Sequence, residues 1–87
     1  PYRAKQRQFG KNVELLIERA VGMEENHARH LLERLIAYYV KLSLVNVAVK
    51  SGADASSVTD AQVVAQVAAL SAGRLGLEAE ALRLPSH

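Results

Sequence analysis

Residues 24–50 read EENHARHLLERLIAYYVKLSLVNVAVK, and this stretch decides the fold. The acids at its start, Lys50 at its end and Gly52 just beyond predict one helix from about Glu24 to Lys50. One apolar stripe recurs every three or four positions, through Ala28, Leu31, Leu35, Tyr38, Leu42, Val45 and Val49. A second stripe runs through Leu32, Ile36, Tyr39, Val40 and Val47. A helix that is apolar over most of its circumference must be covered on more than one side.

Shorter helices are predicted on both sides of this long one. Asn12 can cap a first helix that ends near Gly22. After the loop GADASS, Thr59 and Gln62 form a capping box, and Val58 with Val63 forms a hydrophobic staple. These signals predict a third helix from Asp60 to about Leu70. A short helix over 77–82 is also expected, and no strand-like alternation is present, so the fold class is all-α.

The size of the chain favours a partner. Eighty-seven residues form one small domain, whose own core supplies only marginal stability. Cysteine is absent, so neither disulfides nor thiolate metal sites can compensate. Apolar residues make up 49% of the chain, which is enough for packing and too much for a disordered tail.

The net charge of +2 is unevenly distributed. Residues 1–11 contain Arg3, Lys5, Arg7 and Lys11 and no acid, which is typical of a basic flexible arm that is solvated or lies near phosphates. No apolar run is long enough to span a membrane, and no secretory signal is apparent at the N-terminus. We therefore expect a soluble intracellular protein that does not contact a membrane.

The order of a basic arm, a short helix, a long helix and a short capped helix resembles the histone fold over residues 9–70. The stretch SVTDAQVVAQV is similar to the opening of the third histone helix, with Ser57, Val58, Thr59 and Val63 in register. The stretch LIAYYVKL falls at the centre of the long helix. The resemblance implies an arm at 1–11, a histone-fold core at 12–70 and a C-terminal extension at 71–87.

The resemblance also implies a function. Histone-fold chains dimerise head to tail, so we expect a homodimer or heterodimer with another histone-fold chain, associated non-specifically with DNA in a nucleus or nucleoid. The implied dimer interface consists of Leu35, Tyr38, Tyr39, Leu42, Val45, Val49, Val63 and Val67. The implied phosphate contacts are Arg3, Lys5, Arg7, Lys11, Arg19, Arg29 and Arg34.

Two alternatives stay open at this point. In histones the loop before the third helix is basic, whereas GADASS carries only Asp54, and Ala55 and Gln62 stand where the family pairs an arginine with an aspartate. These departures favour an interaction subunit of a transcription or chromatin complex with little DNA contact. An unrelated helical bundle that acts as a small regulator is the other alternative.

Few features of the sequence support catalysis or metal binding. Glu24, His27, His30 and Glu33 have ligand side chains, but steps of three spread them over half of the helix. No serine has a recognisable base beside it, and no glycine-rich phosphate loop is present. We predict no enzyme, no metal, no cofactor and no small-molecule ligand.

Overall fold

The computed structural model describes the backbone of residues 2–83 and the side chains of residues 10–83. The described backbone forms three α-helices, α1 (Tyr2–Val21), α2 (His27–Lys50) and α3 (Asp60–Leu70); one 3-10 helix, Ala55–Ser57, lies between α2 and α3, and another, Ala79–Leu82, follows α3. No strand occurs in the described backbone, so the all-α prediction is confirmed.

The first helix begins at Tyr2, well before Val13, where a cap at Asn12 would start it. Residues 2–11, predicted to be a flexible arm, have helical backbone. The reason is local, because Ala4, Lys5, Gln6 and Arg7 all have high helix propensity and no proline interrupts the run. The first helix is therefore 20 residues long and not short, as the histone resemblance implied.

The second helix has well-formed ends. The side chain of Asn26 caps its start by accepting a hydrogen bond from the Arg29 N–H at 3.1 Å, so Glu24 and Glu25 precede the helix. At its other end the Gly52 N–H donates to the Val49 carbonyl and the Ala53 N–H donates to the Ala48 carbonyl. This pair of bonds is a Schellman motif, and Gly52 supplies the positive φ of 90° that it requires.

The third helix starts where its sequence predicts. The Gln62 N–H donates to Thr59 Oγ1 at 3.2 Å, and the Thr59 N–H donates to Gln62 Oε1 at 2.8 Å, which completes the capping box. The two reciprocal bonds satisfy donors that the first turn would otherwise leave unpaired.

All three helices contribute to one core, because α1 and α3 both pack on the same face of α2. Leu75, in the segment after α3, is also buried in this core, and Leu77 and Leu82 pack against the core. Part of the predicted C-terminal extension, residues 71–87, thus packs on the core through a few side chains; residues 84–87 lie outside the described chain. The buried apolar side chains are Val13, Ile17, Ala20, Ile36, Ala37, Val40, Val63, Val67 and Leu75.

Within residues 2–83, no helix has the length and apolar character needed to cross a bilayer.

Candidate interaction surface

The face of α2 that points away from the core is apolar and exposed. It carries Leu31, Leu35, Tyr38, Leu42, Val45 and Val49, which we call the α2 seam. Since each residue advances by about 100° around a helix, this spacing keeps all six on one face, roughly opposite Ile36 and Val40. Val45 is half-buried, and the other five residues are between 41% and 58% exposed. The intervals of four and three residues are those of a heptad seam about 27 Å long.

An open groove of about 540 Å³ lies along the N-terminal half of this seam. Leu31, Leu35 and Tyr38 form one wall, and residues at the start of α3 and in the last 3-10 helix, Asp60 and Leu82, contribute from the other side. The side chains of Arg34 and Lys41 also line it, so the groove is apolar with two cations and one carboxylate among the residues that line it.

The structure divides the predicted dimer interface into two groups. Leu35, Tyr38, Leu42 and Val49 are exposed on the seam, with Val45 half-buried beside them. In contrast, Val63 and Val67 are fully buried by the chain's own helices, so the apolar face of α3 is covered without a partner. The sequence could not separate these groups, since both are apolar residues at helical spacing.

The two adjacent tyrosines point in different directions, as expected of neighbours on a helix. Tyr39 packs against the core, whereas Tyr38 is 58% exposed on the seam. Their ring centroids lie 6.0 Å apart with an interplanar angle of 61°, an edge-to-face arrangement that is favourable for aromatic pairs.

The structure describes the side chains of four predicted phosphate-contacting residues, which lie on two helices. Lys11 and Arg19 are exposed on α1, and Arg34 is half-buried at the groove. The side chains of Arg3, Lys5 and Arg7 lie outside the described part of the chain. Arg29 was predicted to contact phosphates, but its guanidinium donates hydrogen bonds to backbone carbonyls of the protein.

Arg29 joins three segments of the chain. Its Nη1 donates to the Met23 carbonyl at 3.2 Å and its Nη2 donates to the Arg74 carbonyl at 3.5 Å. Its Nε lies 3.7 Å from Oε1 of the buried Glu33, which also lies 3.4 Å from His30 Nδ1. The i,i+4 spacing of Arg29 and Glu33 was the one available sequence signal for this pairing.

Arg74 extends this network to α1. Its Nη2 donates to Glu18 Oε1 at 2.8 Å, and its Nε donates to the Ser71 carbonyl at 2.9 Å. The hydrogen bond and the positive charge of Arg74 lower the pKa of Glu18 below its ordinary value of 4.5, and Glu18 raises the pKa of Arg74 in return. No sequence pattern indicated this contact, since the partners are 56 residues apart.

The four histidine and glutamate side chains considered as metal ligands do not form one cluster, although His30 Nδ1 and Glu33 Oε1 lie 3.4 Å apart. Glu24 is exposed before the helix, while Glu33 is buried beside Arg29. Among the residues that the structure describes, no three ligand-type side chains lie close enough to share a metal ion.

The fold and surface thus define an all-α domain with one buried and one exposed apolar face on its central helix. The chain belongs to the family DUF4290, a domain of unknown function, whose model matches residues 2–81. No curated protein and no solved structure matches the sequence.

Proposed function

We propose that this domain is a protein-interaction module that binds an amphipathic α-helix along the α2 seam. The observation that carries the proposal is the position of the seam, an unbroken heptad stripe on the helix face opposite the core. Burying a large apolar side chain completely is favourable by about 1.5–3 kcal/mol of free energy. Burial of the half-exposed leucines by a partner would therefore stabilise a complex. A facing helix with the same spacing can bury all of them together.

The histone-fold dimer predicted from the sequence is one form of this function, in which the facing helix is α2 of another histone-fold chain. The interaction-subunit alternative is another form, in which the facing helix differs. Both use Leu35, Tyr38 and Leu42 at the centre of the seam, so one experiment tests what they share.

The test uses a 21-residue peptide with leucine at its heptad positions and glutamine at the flanking positions. The peptide is labelled and held at nanomolar concentration, so that it does not pair with itself, and its fluorescence anisotropy is measured against increasing protein. We expect binding by the unmodified chain. The double variant Leu35→Asp/Leu42→Asp should bind at least about tenfold more weakly, because two carboxylates would enter an apolar interface.

The matched control is Val47→Asp, which introduces the same charge at an apolar residue that is 60% exposed on α2 and lies roughly opposite the seam. This variant should bind the peptide like the unmodified chain, and circular dichroism should show that all variants keep their helix content. Binding that survives in the seam variant, or that is lost equally in the control, would exclude the proposal.

DNA association is a second candidate function, and one feature of α1 favours it. The helix begins with four basic residues, Arg3, Lys5, Arg7 and Lys11, before its first acid at Glu14. Such a run suits phosphate contacts without base readout. Because Arg29 donates its hydrogen bonds within the protein, DNA association would depend on the basic residues of α1, including Arg19, and on Arg34 of α2.

A further inference from the structure

Positive charges lie beside the apolar α2 seam, on one of its two flanks. Arg34 and Lys41 are seven residues apart, so both lie on the same side of the seam, about 10 Å apart along the helix axis. The heptad positions on the opposite flank are Leu32, Tyr39 and Asn46. The flanks from His27 to Ala48 therefore contain two cations and no acid.

The side chains of Arg34 and Lys41 are not used in ion pairs within the described residues. The described side chains form ion pairs that include Arg29–Glu33 and Arg74–Glu18, and neither Arg34 nor Lys41 takes part in them. Asp60 lines the same groove and offsets part of the positive charge, but it makes no ion pair with either cation. The groove therefore keeps an excess of positive charge next to an apolar wall.

A second copy of the same α2 does not match this pattern. In a parallel pair each flank meets the opposite flank of its partner, so Arg34 and Lys41 would face neutral residues. In an antiparallel pair each flank meets its own counterpart, so Arg34 and Lys41 would face a flank that contains no acid. Neither orientation brings an α2 carboxylate to the cations.

We propose that the occupant of the α2 seam is an amphipathic helix that carries acidic residues seven apart along one flank. This inference rests on the proposed function and specifies the partner of the same surface. Carboxylates at that spacing meet Arg34 and Lys41 while leucine-like residues cover the seam. A membrane surface fits the N-terminal half of the seam less well, because Leu31, Leu35 and Tyr38 line a groove whose other side is formed by Asp60 and Leu82.

The experiment compares three peptides that share the leucine heptads and differ only at the flanking positions, which are glutamate, glutamine or lysine. We expect the glutamate peptide to bind about fivefold more tightly than the glutamine peptide, and the lysine peptide to bind about fivefold more weakly. The preference for glutamate should shrink in high salt, since the charges are partly exposed.

Two variants of the chain complete the test. Arg34→Glu/Lys41→Glu should reverse the order of the three peptides, and Arg34→Gln/Lys41→Gln should remove the preference, so that the three peptides bind with similar affinity. The second variant adds no carboxylate beside Asp60, so it keeps the test informative if the first one folds poorly.

The other outcomes separate this inference from the proposed function. Equal binding of all three peptides overturns the acidic partner and leaves the helix-binding function standing. A dimer detected by light scattering that Leu35→Asp/Leu42→Asp dissociates also overturns it, since the occupant is then a second copy. Seam-dependent binding to vesicles with anionic lipid, without peptide binding, overturns both.

Discussion

Ala72 and Gly52 occupy equivalent positions just after two helices, but only the alanine is strained by the backbone conformation required there. After α3, the Gly73 N–H donates to the Ala68 carbonyl and the Ala72 N–H donates to the Ala69 carbonyl, which is the Schellman pattern also seen after α2. Ala72 therefore has a φ of 54°, in the left-handed region that an L-residue with a Cβ adopts at a cost. Gly52 meets the same requirement without that cost.

We expect Ala72→Gly to stabilise the protein by about 0.5–1 kcal/mol, as relief of the left-handed strain exceeds the entropy that glycine adds to the unfolded chain. The reciprocal change Gly52→Ala should destabilise it by about 1 kcal/mol, and no neighbouring atom would meet the new Cβ, so the effect is one of backbone conformation. Urea denaturation of both variants measures these differences. A loss of stability in Ala72→Gly would contradict the strain argument.

The ion pair of Glu18 and Arg74 makes a small part of the stability depend on pH. Because Arg74 lowers the pKa of Glu18 in the folded state, the ionised carboxylate stabilises the fold at pH values above its ordinary 4.5. This contribution is lost as the pH falls through the lowered folded pKa. Both groups are exposed, so salt should reduce the effect.

A carboxyl titration of Glu18 by NMR tests this directly. Replacing the guanidinium in Arg74→Gln should return the pKa of Glu18 toward its ordinary value, since the first cause of the shift is the hydrogen bond from Arg74. The control Arg83→Gln removes an exposed arginine that makes no ion pair with Glu18, and should leave the titration unchanged. A Glu18 titration that is the same in Arg74→Gln would contradict the contact.

At the scale of elements, the start of α3 is the best-specified boundary in the chain. Thr59 accepts from Gln62, Gln62 accepts from Thr59, and Val58 packs against the core beside the cap. A cap of this kind is worth about 1 kcal/mol. The helix is only 11 residues long, so its formation depends strongly on its ends and on its two buried valines.

Thr59→Ala should therefore destabilise the protein by about 1 kcal/mol, because the Gln62 N–H loses its acceptor. Ser56→Ala is the matched control, since it removes a hydroxyl from the same loop and leaves the hydrogen bond of the Ser56 N–H to Asp54 Oδ1 in place. The control should change the free energy of unfolding by no more than about 0.5 kcal/mol. Equal effects of the two changes in denaturant unfolding would show that the cap contributes nothing specific.

The sequence predicted the elements whose signals lie within a few residues of one another. The Thr59–Gln62 box and the Gly52 stop are contacts over three to five residues, and both are confirmed. The start of α1 was wrong, because Asn12 provides a cap signal only where the preceding residues are not helical. The burial of Leu75 was missed, because an isolated apolar residue after Gly73 has no periodic pattern.

The candidate site was predictable only in part, for a physical reason. The two apolar stripes on α2 indicated that two faces of this helix would be buried. Which stripe packs against α1 and α3 depends on contacts between residues far apart in the sequence. The structure places Ile36 and Val40 in the core and leaves Leu35 and Leu42 exposed. The interface assigned from the sequence therefore mixed seam residues with core residues such as Val67.

At the scale of the whole molecule, basic residues lie on two separate elements, and each predicts a different response to salt. The first turns of α1 hold Arg3, Lys5, Arg7 and Lys11, whereas Arg34 and Lys41 flank the seam on α2. Binding to DNA through the first group releases counterions, and each neutralised phosphate contributes about 0.9 to the slope of log affinity against log salt.

If α1 contacts phosphates, replacing its four basic residues with glutamine should reduce the magnitude of that slope by up to about three to four units. The control Lys41→Gln removes an exposed cation of α2 that is not among the predicted phosphate contacts, so it should leave the slope in place. Titration of a labelled duplex between about 50 and 200 mM salt, the range over which phosphate-dominated affinity falls steeply, measures both. Absence of affinity at the lowest salt, or a slope unchanged by the α1 substitutions, would remove the DNA candidate and leave the seam as the functional surface.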